Sequence, residues 1–225
     1  MIILTDLSEV LVQGIVGLEN LINEQYDTSI AMQFVERKNE LYGLFEELMR
    51  GYMTEDYFWG KFLSKNRWPF GIPEIKALVS HNLAYEIPGT FEVYYTIAKH
   101  PTFIRNHVPS KERIKGQPEF WLVSDHIAER ELELEYLHPE IFATFSRRIW
   151  SFDEVAIKRD PGFFQRLIKK NALKPEELLF IDDLMDNIDA AAKAGLNTIW
   201  FRNSVHLKYS LLSRNYGFGF TKNKT

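Results

Sequence analysis

Four short apolar runs bounded by turn-forming residues punctuate the chain: Ile2-Ile3-Leu4, Phe120-Trp121-Leu122-Val123, Leu178-Leu179-Phe180-Ile181 and Thr198-Ile199-Trp200-Phe201. Continuous runs of this length suit strands buried on both faces. Helical patterns lie between them, over residues 91–99 after Pro88-Gly89, over 161–171, and over 187–193, where Ala194-Gly195 supplies a helix stop. Strands alternating with helices predict an α/β fold with a doubly wound, Rossmann-like parallel sheet.

Residues 14 to about 85 break that rhythm. Leu18, Leu21 and Ile22, then Phe34 and Leu41, then Leu44, Phe45 and Leu48 keep helical spacing with no convincing strand, which predicts a helical insertion after the first strand. Its second half carries Tyr52, Tyr57, Phe58, Trp59, Phe62, Trp68 and Phe70, rings expected to fill a small all-helical core rather than to stack on a ligand. Gly14 and Gly17 flank the junction and would supply the backbone freedom a hinge requires. Residues 100–118 are polar, with three prolines and with Arg105, Lys111, Arg113 and Lys115 against Glu112 alone, and read as a long surface loop.

Composition narrows the class. A chain of 225 residues accommodates one ordinary domain plus a small second one. With 45% hydrophobic residues, 12 Gly and 9 Pro, it is neither disordered, collagenous nor low in complexity. A net charge of −4 argues against a dedicated nucleic-acid binder and leaves small molecules or proteins as partners. The lack of cysteine excludes disulfides, thiolate zinc sites and cysteine nucleophiles. With no basic leader and no run of about 20 apolar residues, a cytoplasmic protein without a membrane partner is expected. Oligomeric state is not legible.

Candidate chemistry gathers where apolar runs stop. Asp6 follows the first run and Asp182-Asp183 follow Ile181, with Asp186 one turn further on. In a parallel sheet such positions share the carboxyl edge, where ligands of open α/β folds bind. Converging carboxylates repel one another, so a hard divalent cation with oxygen ligands is the economical explanation, and Mg²⁺ the best fit. Helix capping would explain Asp182-Asp183 if the pair stood alone. Ser124, however, also ends a buried run, and a hydroxyl beside backbone N–H groups at a helix start can seat a phosphate. Lys158, ahead of Arg159-Asp160-Pro161, could neutralise both phosphate and carboxylates.

In this order, Ile2-Ile3-Leu4-Thr5-Asp6-Leu7-Ser8, Leu122-Val123-Ser124, Lys158-Arg159-Asp160-Pro161-Gly162-Phe163-Phe164 and Phe180-Ile181-Asp182-Asp183 resemble the four motifs of the haloacid dehalogenase-like hydrolase superfamily. The resemblance spans nearly the whole chain. It implies a core domain over residues 1–13 and 86–225, with residues 14–85 in the place of a C1-type helical cap. It further implies that Asp6 is the nucleophile of an aspartyl-phosphate mechanism and that Ser124 binds the transferring phosphoryl group. Lys158 would offset charge there, and Ser8, Ser124, Asp125 and Lys158 would contact substrate. Mg²⁺ would be held by Asp6, the Ser8 carbonyl, Asp183 and Asp182. The activity implied is a Mg²⁺-dependent phosphohydrolase acting on a small phosphorylated compound.

The sequence departs from the family at one consequential place. Phosphatases of this type usually carry an acidic residue two positions after the nucleophile, to protonate the leaving oxygen. Ser8 stands there and Glu9 replaces the usual glycine. A hydroxyl is too weak an acid for that step near neutrality. Glu9 would point to the opposite side of an extended segment, and is a poor substitute. Arg159 stands where proline is common. The departure favours substrates with good leaving groups, and keeps open a catalytically weak or silent phosphate-binding or protein-interaction protein. A 2-haloacid dehalogenase is disfavoured, because dehalogenation by a carboxylate has no use for a clustered cation site.

Overall fold

A computed structural model describes residues 1–98 and 118–214. Strands β1 (Ile2–Thr5), β2 (Glu119–Ser124), β3 (Arg147–Trp150), β4 (Leu178–Asp182) and β5 (Asn197–Trp200) form one sheet in the order β3-β2-β1-β4-β5. Every neighbouring pair is parallel. Alternate residues serve opposite faces, as the pleat requires. Ile3, Phe120, Leu122, Leu179 and Ile181 join one buried cluster, whereas Leu4, Trp121, Val123, Leu178 and Phe180 join the other. Burial on both faces is why these runs show no polar alternation.

Strand β3 was not among the four apolar runs, since only Ile149 and Trp150 of its four residues are apolar. It is an edge strand, and its charged half is accommodated by stacking. The Arg147 guanidinium lies 4.6 Å from the Trp121 ring centroid and that of Arg148 4.8 Å from the Phe142 ring.

Between β1 and β2 the chain forms five helices of the insertion: α1 (Ile15–Gln25), α2 (Thr28–Glu40), α3 (Tyr42–Met49), α4 (Glu55–Leu63) and α5 (Ile72–Leu83). Asp27 caps α2 by accepting from the Ser29 and Ile30 N–H groups, and Thr54 caps α4 from Tyr57 N–H. Phe34, Phe58, Trp59, Phe62 and Phe70 are buried among one another, with Trp68 half-buried against them, so the aromatic half does fill a core. Tyr52 and Tyr57 are exceptions and lie exposed. The insertion's two connections run side by side. Gln13 N–H donates to the Tyr85 carbonyl at 2.9 Å and Ile87 N–H to the Leu11 carbonyl at 2.8 Å.

Helix α6 (Thr90–Ala98) follows, then α7 (Glu131–Leu137), α8 (Pro139–Thr144), α9 (Ser151–Glu154), α10 (Phe163–Lys170), α11 (Met185–Lys193) and α12 (Ser204–Ser213). Helices α10 and α11 bury Phe163, Phe164, Leu167, Ile188 and Ala191 against the sheet face that carries Leu4 and Phe180. Gly195, at φ +90°, ends α11 as expected, in a conformation that side chains with a Cβ rarely adopt. Apart from Pro118, the polar stretch read as a surface loop, and so its basic residues, lies outside the described residues. No helix among the described residues is long and apolar enough to cross a membrane.

Candidate active site

Thr5 and Ile181 are register partners in β1 and β4, so the residues that follow them, Asp6 and Asp182, emerge side by side. The Asp6 N–H extends the ladder by donating to the Ile181 carbonyl at 3.0 Å. Asp6, Asp182 and Asp183 each bring a carboxylate oxygen within 4.8 Å of the other two. Into this cluster reaches Lys158, whose Nζ is 2.7 Å from Asp6 Oδ1 and 2.7 Å from Asp182 Oδ2. Its side chain is only 1% exposed. Burial works against the ammonium charge, but Asp182, Asp6 and Asp125 outweigh it and hold the lysine above its ordinary pKa.

The two adjacent aspartates have different surroundings. Besides Lys158, Asp182 accepts from the Leu184 N–H at 2.8 Å and from Asn187 Nδ2 at 3.1 and 3.2 Å. Asp183 is fixed through its main chain, its carbonyl accepting from Trp200 Nε1 at 2.7 Å. Burial raises the Asp182 carboxyl above its ordinary range against the pull of Lys158, and Asp6 adds to the rise. Asp183 is raised by burial, then by Asp6 and Asp182. One ammonium among three carboxylates leaves a negative excess in a poorly solvated place, and an all-oxygen donor set of this kind fits a hard divalent cation.

Ser124, the last residue of β2, is buried, and its Oγ has no hydrogen-bond partner among the described residues. Leaving a buried hydroxyl unpaired costs about 1–3 kcal/mol, which an anionic oxygen docked there would remove. Asp125, the next residue, is engaged elsewhere: the Lys158 backbone N–H donates to its Oδ1 at 3.0 Å and Oδ2 at 3.3 Å. Burial, opposed by Lys158 and aided by Asp6 and Asp182, pushes the Asp125 carboxyl up to about 7.

Asp186 is exposed and outside the carboxylate cluster. Its neighbour Asn187 is fully buried and grips Asp182 instead. The signal was available in the period of α11, which places Asn187 with Ile188 and Ala191 on the inward face. Glu9 has a different job from acid chemistry: its Oε1 accepts from the N–H groups of Gly14 and Val16, both at 2.9 Å, and of Gly17 at 3.3 Å. His126 is buried, its Nδ1 accepts from the Ile127 N–H at 2.9 Å, and burial pulls its pKa down to about 4. The imidazole is therefore neutral near pH 7 and is no proton source there.

The segment around Lys158 also meets the helical insertion. Arg159 donates from Nε to Glu46 Oε1 at 3.1 Å and its guanidinium lies 5.1 Å from the Tyr42 ring centroid. Arg50 pairs with Asp160, and Ser151 Oγ donates to the Met49 carbonyl at 2.5 Å. Helix α3 and the residue after it thus rest on the edge of the sheet that holds the carboxylates.

No family model matches the chain. Among solved structures, the putative HAD-hydrolase YfnB of Bacillus subtilis, bound to magnesium, superposes with a TM-score of 0.65 over 93% of this chain and 97% of its own, at 17% identity. The chain has the haloacid dehalogenase-like fold. The same HAD-like arrangement aligns with a HAD family enzyme of Bacteroides thetaiotaomicron in complex with magnesium and inorganic phosphate, with a TM-score of 0.60 at 17% identity, covering 89% of this chain and 93% of that one. It also aligns with the L-2-haloacid dehalogenase of Xanthobacter autotrophicus, with a TM-score of 0.60 at 13% identity over 96% and 84% of the two chains. Among curated proteins, Enolase-phosphatase E1 of Sorangium cellulosum is 43% identical over 42 residues, a stretch covering 19% of this chain and 18% of that protein.

Proposed function

We propose that this chain is a Mg²⁺-dependent phosphohydrolase that transfers a phosphoryl group to Asp6 from a small phosphorylated compound with a good leaving group. The observation that carries the reading is the convergence of Asp6, Asp182 and Asp183, the first two paired with Lys158, together with the unpartnered Ser124 hydroxyl at the end of the strand next to β1. Asp6 attacks phosphorus, the leaving group departs as the aspartyl-phosphate forms, and water then releases phosphate. Asp6, Asp183, the Ser8 carbonyl and, secondarily, Asp182 would hold the cation. When bound there, Mg²⁺ would neutralise part of the negative charge that the carboxylates and an incoming phosphoryl group bring together.

Lys158 offsets charge on Asp6 and on the phosphoryl group, and Ser124 donates to a phosphoryl oxygen. Asp125, although expected among the substrate contacts, acts through the main chain of Lys158 as a positioning residue. Residues 14–85 act as a mobile cap over the core formed by 1–13 and 86–225. The magnesium-bound YfnB structure, which reveals interdomain movement in that protein, supports this division.

The test is release of inorganic phosphate from an aryl phosphate, with turnover expected in Mg²⁺ and lost on chelation. Chloride release from a 2-haloacid without metal would replace this reading by the dehalogenase one. Ser8 favours a second reading, a phosphate-binding protein without turnover. Saturable phosphate binding with no hydrolysis of any phosphorylated compound would select it.

A further inference from the structure

Glu9 occupies a backbone position that does not suit it. Its φ is +59°, in the left-handed region that glycine adopts freely and that other residues enter at a cost of order 1–3 kcal/mol. The turn around it is closed by its own hydrogen bonds: Glu9 N–H to the Val12 carbonyl at 2.7 Å, and the Leu11 and Val12 N–H groups to the Leu7 carbonyl at 2.8 and 3.0 Å. Nothing in that turn needs a carboxylate. What the carboxylate reaches is the start of the helical insertion, where it takes the N–H groups of Gly14, Val16 and Gly17 that α1 leaves without a helical acceptor.

The carbonyl of Gly14 is gripped as well as its N–H. Gly14 carbonyl accepts from Asn82 Nδ2 at 2.7 Å, which ties the beginning of α1 to the end of α5. The space is tight: a Cβ at Gly14 would come within 3.1 Å of Glu9 Oε1, and one at Gly17 within 2.5 Å of both Asn82 Oδ1 and Gln13 Oε1. Neither glycine has a positive φ. They are there for close approach, and the junction is a clasp rather than the loose hinge that two glycines imply.

We infer that Glu9 is a positioning residue that clasps the loop after Asp6 to the first helix of the insertion, and thereby sets where the insertion rests relative to the carboxylate cluster. The functional half of this inference rests on the phosphohydrolase reading; the structural half does not. Glu9 lies three residues from Asp6, and the insertion it holds makes contact through Glu46 and Arg50 with Arg159 and Asp160, the two residues after Lys158. A shift of the clasp would therefore change how the insertion closes on substrate while leaving the sheet intact.

Glu9→Gly and Glu9→Gln separate this role from a merely structural one. Glycine releases the strained φ and removes the clasp, whereas glutamine keeps an acceptor oxygen for the same N–H groups. In Glu9→Gly, amide hydrogen exchange at Gly14, Val16 and Gly17 should speed up by about tenfold or more, with exchange in β1 and β4 and the melting temperature little changed. Glu9→Gln should restore most of the protection. On an aryl phosphate with Mg²⁺, KM should rise several-fold in Glu9→Gly and return toward the parent value in Glu9→Gln. Unchanged protection at the three amides in Glu9→Gly would overturn the clasp itself. Lost protection with unchanged KM and kcat would overturn its positioning role. A parent protein that hydrolyses no phosphate would overturn the phosphohydrolase reading, with the exchange data still deciding the clasp.

Discussion

Arg50, immediately after α3 in the helical insertion, donates from Nε and Nη2 to the two carboxylate oxygens of Asp160 at 3.0 and 2.6 Å. Asp160 Oδ2 also accepts from the Ile157 N–H at 3.0 Å, so this one carboxylate joins the insertion to both ends of the four-residue segment that presents Lys158. Arg50→Met removes the fork and should leave the insertion's own core intact. We expect kcat on an aryl phosphate to fall by about tenfold, with a smaller change in melting temperature, because misplacing a catalytic group costs rate before it costs stability. Unaltered kcat would show that the contact does not hold Lys158.

Asp6→Asn is nearly isosteric but cannot form the phosphoenzyme. Turnover should drop to background while circular dichroism and the melting temperature stay close to those of the parent. Substantial phosphatase activity in this variant would refute the assignment of the nucleophile.

Ser8 leaves no acid two positions after Asp6, Glu9 is committed to α1, and His126 is neutral. Leaving groups that depart unaided should therefore be preferred. General acid assistance is worth about 10²–10⁴-fold, or roughly 3–5 kcal/mol of barrier, so aryl and acyl phosphates should be turned over far faster than sugar phosphates. Ser8→Asp should raise activity on alkyl phosphates much more than on aryl phosphates. Equal rates on the two classes by the parent protein would mean that another residue supplies the proton.

His126 gives stability a pH dependence. Its folded pKa, about 4, lies below the ordinary 6.5, so between these values the unfolded chain binds the extra proton and the native state loses stability as pH falls. At 1.36 kcal/mol per unit the loss approaches about 3 kcal/mol near pH 4. Asp125 works in the opposite direction over much of that range, since its folded pKa is raised. The measurement is therefore a difference: urea stability of His126→Gln minus that of the parent should grow in favour of the variant from pH 7 to pH 4.5. A pH-independent difference would contradict the buried, neutral histidine.

Glu55 and Arg130 form an ion pair between α4 and the core at 2.6 Å, with side chains 1% and 6% exposed. Trp59 Nε1 donates to the same Glu55 oxygen at 3.0 Å. Arg130→Met removes the closer of the carboxylate's two charge partners, leaving Lys76 Nζ at 3.8 Å, and should destabilise the protein by up to about 3–5 kcal/mol in denaturant unfolding. A double variant with Glu55→Leu should recover much of the loss.

The order of the apolar runs determined the parallel sheet, because strands buried on both faces leave an unbroken hydrophobic signature, and the acidic residues at their ends were legible for the same reason. The helical insertion was legible from its period. Strand β3 was not, since an edge strand can stack Arg147 and Arg148 on Trp121 and Phe142, contacts that exist only once the chain has folded. Sequence neighbourhood also misled at the site. Asp186 and Asn187 are adjacent, yet helical geometry turns the first to solvent and the second onto Asp182. Glu9 looked like a failed acid, and only the return of the chain at Gly14 to Gly17 gives its carboxylate a partner. The candidate carboxylates are written in local residue types at strand ends. Which of them touch one another, and which are diverted to hold the insertion, depends on contacts between segments far apart in the chain, and packing alone decided that.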